Sequence, residues 1–188
     1  MIRWLLIVAC FFSPTWAQAA TLNDGFGDAL KLNSQHFTIY YKKSVDLATL
    51  SSQLNITPTD QLLTNQTIDD SSLPGQISSM LDILFNRACD VLDMHVYSFK
   101  GNIKIFATQQ DLQDFFKGMY HKDLPCTGVS FYIYDLNSIY ISAENFRREV
   151  LGHEMGHAVI SNYFVVQPSM KIQEVLAGYV EYQLRKGK

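Results

Sequence analysis

The segment His153-Glu154-Met155-Gly156-His157 restricts the fold more than any other part of the chain. It sits inside a helical pattern. Phe146, Val150, His153 and His157 follow spacings of four, three and four, so the two imidazoles continue one apolar stripe. Side chains four apart on a helix meet on one face, about 5–6 Å apart at Cβ. Imidazoles on a buried face need partners, so the fold must turn this face towards a cleft or a second element that supplies them. Gly156 adds a constraint, because Gly within a helix costs about 1 kcal/mol relative to Ala. A close backbone approach by another element explains it. The spacing predicts a helix over residues 145–162, capped by Ser142 or Asn145.

Two imidazoles at this spacing reach one cation at about 2.0–2.1 Å each. Glu154 follows the first His and points to the flank of the same face, where it can take a proton from an attacking water. Glu154 and His157 also fit the Glu-x-x-His of di-iron bundles. That chemistry needs a second Glu-x-x-His and further Glu donors, and the chain has no second copy. A third His at the metzincin spacing is absent, since Ile160 and Tyr163 occupy the Gly and His positions. The third ligand is therefore expected from a final helix over residues 170–186. Glu174 and Glu181 lie seven apart there, close to one face. Glu174 is preferred, because Ala177 and Gly178 beside it allow tight helix packing. Glu181 is the alternative.

The N-terminus reads as an export signal over residues 1–19: Arg3, an apolar run from Trp4 to Phe12, Pro14, and the small-x-small site Ala17-Gln18-Ala19. The apolar run is too short to span a bilayer. Cleavage before Ala20 leaves about 169 of the 188 residues as one expected domain, periplasmic or extracellular, with no membrane span. It also removes Cys10. The remaining pair, Cys89 and Cys126, suggests one disulfide. A formal net charge of −3 without a basic patch argues against nucleic acid as a partner. All Glu residues lie from Glu144 onward, in agreement with a helical C-terminal third.

Between these ends the chain alternates. Residues 36–41 and 103–107 read as strands, and 130–134 with 138–141 as a hairpin around Asp135-Leu136-Asn137. Helical spacing runs from Pro74 through Leu92 and again over 111–120. Residues 44–75 are the least patterned, with a short helix expected near 46–54.

Residues 151–158 and 172–179 together resemble the gluzincin metallopeptidases, especially the small peptidase-MA-like members. The resemblance implies that His153, His157 and Glu174 bind zinc and that Glu154 is the general base. It also implies that the strand near 127–134 pairs with an extended substrate. Two departures follow. Position 178 is Gly, where some gluzincins carry an Asp that supports a ligand His, so another partner must orient the imidazoles. Larger members also add a lobe that donates a transition-state stabiliser. Here Tyr163, Tyr179 and Tyr182 are the candidate phenols, with Tyr179 preferred.

The expected fold is α+β and zincin-like: a small, mainly antiparallel sheet packed on an active-site helix and a ligand helix. The expected function is a secreted zinc peptidase acting on peptides or proteins. The alternatives are a catalytically inactive zincin-like envelope binding module and a structural domain whose pentapeptide is accidental.

Overall fold

Strands β1 (Leu30–Asn33), β2 (Phe37–Tyr41), β3 (Gly101–Phe106), β4 (Ser130–Ile133) and β5 (Ser138–Ser142) form one sheet in the order β1-β2-β3-β5-β4. The computed structural model describes residues 24–124 and 128–186. The expected export signal and Cys126 fall outside the described residues. The fold is α+β, but the sheet is mixed rather than mainly antiparallel. β2–β3 and β3–β5 are parallel, while β1–β2 and β4–β5 are antiparallel. The reason lies in the connections. Helices α1 (Leu47–Leu54), α2 (Pro58–Thr64) and α3 (Leu73–Leu92) lie between β2 and β3, and α4 (Gln109–Tyr120) lies between β3 and β5. Such crossovers return the chain in the same direction. The hairpin is as expected, with Ile133 opposite Ser138.

Alternation along the strands sorts the two faces. Ile39, Ile103, Ile105, Ile139 and Ile141 join the main core with α1, α3 and two further helices, α5 (Arg148–Tyr163) and α6 (Met170–Lys186). Phe106 and Tyr140 face the other way, onto Phe26 and Leu112 of the α4 side. Caps fix the short helices. Asp46 accepts from Ala48 and Thr49, and Thr57 with Asp60 closes a capping box. Asn55 and Asn65 end α1 and α2 at φ 41° and 51°, a conformation Asn tolerates. No described helix is long and apolar enough to cross a membrane.

Helix α5 is buried on nearly every side. It starts three residues later than the spacing suggested, and its N-cap is Arg147, with no side-chain cap. Ser142 and Asn145 do not cap it, because a 3₁₀ turn over Ala143–Asn145 intervenes and both side chains bond Gln109 Oε1 at 3.0 Å. Its start is held instead by Arg148, 1 % exposed, whose guanidinium sits 3.0 Å from Asp60 and donates to Asn55 O at 3.3 Å. The expected close approach at Gly156 is present: a Cβ there would lie 3.1 Å from Ala177 Cα. Gly178 plays no such part, having nothing within 4 Å of a built Cβ. Cys89 is a buried free thiol, pushed up to about 11 by burial.

Candidate metal centre

The crossing of α5 and α6 builds the site. Gly156 meets Ala177, and Gly152 meets Leu184, so α6 runs back along α5. That direction brings Glu174 to the two histidines. His153 Nε2 and His157 Nε2 face each other at 3.2 Å. Glu174 straddles them, with Oε2 3.6 Å from His153 Nε2 and Oε1 3.5 Å from His157 Nε2. Among the described residues this is the one group with the composition and spacing to hold a metal ion, with ligand atoms within 4.8 Å of one another. Ligands at 2.0–2.1 Å from a tetrahedral ion are separated by about 3.3–3.4 Å. The two histidine nitrogens lie close to that separation, and each has one of the two Glu174 oxygens at a similar distance, so the residues present fit zinc. His157 supports the fit: burial first, then neighbouring His153, hold its pKa below the usual imidazole range against the pull of Glu174. A neutral imidazole keeps a lone pair for a metal.

Glu181, the alternative third ligand, takes a different position. Its Oε2 lies 3.3 Å from Nδ1 of His153, the nitrogen turned away from the convergence point. It stands behind the His153 ring, at ion-pair distance with no hydrogen bond formed at Nδ1, as a carboxylate that position 178 lacks.

Glu154 is 6 % exposed and lies beside the triad. Burial pushes its carboxyl up to about 7, opposed by a hydrogen bond that Ser130 Oγ donates to Oε1 at 2.7 Å. Ser130 was not singled out in the sequence, where it is simply the first residue of a strand. It ties β4, an edge strand, to the face of α5 that carries Glu154. The cleft between them has a volume of about 910 Å³ and is lined by β4, Tyr120, Arg147, Val150, the histidines and the carboxylates of α6.

The preferred phenol is not there. Tyr179 is 47 % exposed and absent from the cleft lining. Five residues beyond Glu174 place it about 140° round the helix, on an outer stripe with Ile172, Val175 and Tyr182. Tyr163 and Tyr182 also lie outside the lining, whereas Tyr120, Tyr132 and Tyr134 are part of it.

No family model, no curated protein and no solved structure matches this chain. The functional reading therefore rests on the site.

Proposed function

We propose that this chain is an exported zinc peptidase of zincin-like architecture, with His153, His157 and Glu174 as metal ligands and Glu154 as general base. One observation carries the reading: two histidines and a glutamate from two helices converge beside a buried carboxylate, in a cleft walled by a sheet edge unpaired among the described strands. Zinc held there supplies a Lewis acid that polarises a carbonyl oxygen and lowers the pKa of water.

The chain's own residues do the rest. Ser130 fixes Glu154 Oε1, leaving Oε2 to accept the proton of the attacking water. Glu154 then passes that proton to the leaving amine. Its burial suits both roles, because an acid–base group works best near the operating pH. Among the described strands β4 is bonded only to β5, so its outer edge offers backbone N–H and C=O groups to an extended peptide. Glu181 stands 3.3 Å from His153 Nδ1, placed to orient the ring.

Elemental analysis followed by digestion of a broad peptide library tests the reading. One zinc per chain with cleavage is expected, and Glu154→Gln retains zinc but loses cleavage. Zinc without cleavage in the wild type would establish the non-catalytic binding module. A protein that purifies and refolds without affinity for metal would leave only the structural reading. Export is tested by sequencing the mature N-terminus, expected at Ala20 or an immediate neighbour.

A further inference from the structure

We propose that Arg147 makes this cleft selective for a carboxylate on the C-terminal side of the cleaved bond. The inference rests on the peptidase reading above and extends it to substrate class.

Arg147 is exposed and lines the cleft. Among the described lining residues it is the one Arg or Lys, and no carboxylate pairs with it. The neighbouring Arg148 is buried on Asp60 and Arg185 is bonded to Glu181, so each has its anion within the fold. Arg147 is left to bind something that enters the cleft. An Arg side chain binds carboxylates in a two-pronged fashion that Lys does not reproduce.

The position of the guanidinium along the cleft follows from how β4 lies on α5. Ser130 contacts Glu154, and Tyr132 lies 3.4 Å from Asn162 Nδ2. Strand and helix therefore run in the same direction. A peptide adding antiparallel to β4, the more stable pairing, enters beside Tyr132. It passes Glu154 and leaves towards Arg147. Glu154 and the N-cap Arg147 are seven positions apart, about 10 Å along the axis. An extended peptide covers that distance in about three residues. The carboxylate is thus expected within three residues after the cleaved bond. Glu174 and Glu181 lie on the α6 side of the cleft, so an acidic group is repelled there and favoured at the Arg147 end.

Two sources present this chemistry: an Asp or Glu side chain, and the free C-terminal carboxylate of a short peptide. The test uses zinc-loaded Glu154→Gln protein and fluorescent peptides, read by anisotropy. The peptides carry Glu or Gln at each of the three positions, and end as free acid or amide. The acidic member of at least one pair is expected to bind about fivefold to tenfold more tightly at low salt, with the preference falling as salt rises. Arg147→Gln abolishes the preference, and Arg147→Glu reverses it towards the uncharged member of the pair. A preference for side-chain acids identifies an internal acidic residue as the determinant. A preference for the free acid alone identifies the chain terminus. Equal binding in every pair, or a preference unchanged in Arg147→Gln, overturns the proposal. Cleavage by the wild type is scored separately. Acid-selective, Arg147-dependent binding without any cleavage would sustain this inference while removing the peptidase reading.

Discussion

Gly156→Ala separates the stability of the helix crossing from the geometry of the metal centre. The new Cβ would sit 3.1 Å from Ala177 Cα and 3.4 Å from both Ala177 Cβ and Val180 Cγ2. Carbon atoms pack best at about 3.5–4.0 Å, so α6 must retreat by about half an ångström. Overpacking of this kind costs about 1–3 kcal/mol, while replacing Gly by Ala within a helix returns about 1 kcal/mol. The net loss is therefore between zero and about 2 kcal/mol, and the protein still folds. Glu174 rides on α6, and metal–ligand distances tolerate only about 0.2 Å. Zinc affinity should then fall at least about tenfold, as for other disturbances of ligand placement. The assay is zinc competition against a chelator, paired with urea unfolding of the metal-free protein. Gly178→Ala is the control, since nothing lies within 4 Å of its Cβ. It should gain up to about 1 kcal/mol with unchanged zinc affinity. Wild-type zinc affinity in Gly156→Ala, together with higher stability, would refute the claim that close crossing sets the site.

Three further outcomes follow from the same contacts. Glu174→Ala should lose tight zinc binding, whereas Glu181→Ala should weaken it by about 10–100-fold without abolishing it; equal losses in a chelator titration would make both residues ligands. Asp24 titrates below the usual carboxylate value, because hydrogen bonds from Lys104 and Tyr140 outweigh the effect of burial, which raises it. The unfolded chain then takes up the proton first, so this stabilisation is full above about pH 4–5 and is lost as pH falls through the folded value. Urea midpoints for wild type and Asp24→Asn should converge on acidification, and a constant gap down to pH 2.5 contradicts the assignment. Arg148→Met leaves buried Asp60 with Arg87 at 3.4 Å and its own capping box. It should cost about 3 kcal/mol in urea unfolding; a loss under 1 kcal/mol would show that the pair does not hold the start of α5.

The parts of the fold legible in the sequence were those whose pattern serves one strong requirement. The convergence of His153, His157 and Glu174 was legible because a metal-binding pattern requires fixed residue types at fixed spacing, and Gly156 because only a close neighbour justifies a glycine there. The parallel strands were missed because alternation along Ile103 and Ile105 reads the same in either direction; the intervening helical segments held the directional information. α2 escaped notice because its side chains are mostly polar or exposed, as at Leu62 and Leu63, and its buried anchor is Asp60. Pro58 at the first helical position, within the Thr57–Asp60 capping box, was the available signal. β1 is an exposed edge strand whose one partly buried residue is Leu32, so its composition carried little. Glu181 and Ser130 are positioned by tertiary contacts with His153 and Glu154, which no local spacing encodes. Tyr179 is near Glu174 in sequence, but five helical steps turn it about 140° away from the cleft.

Anomalous scattering at the zinc edge, from crystals grown with one equivalent of zinc, tests the central claim most directly. The account predicts one strong peak, bonded to His153 Nε2, His157 Nε2 and a Glu174 oxygen, with open space towards Glu154. A peak elsewhere, or none at these side chains, would contradict it.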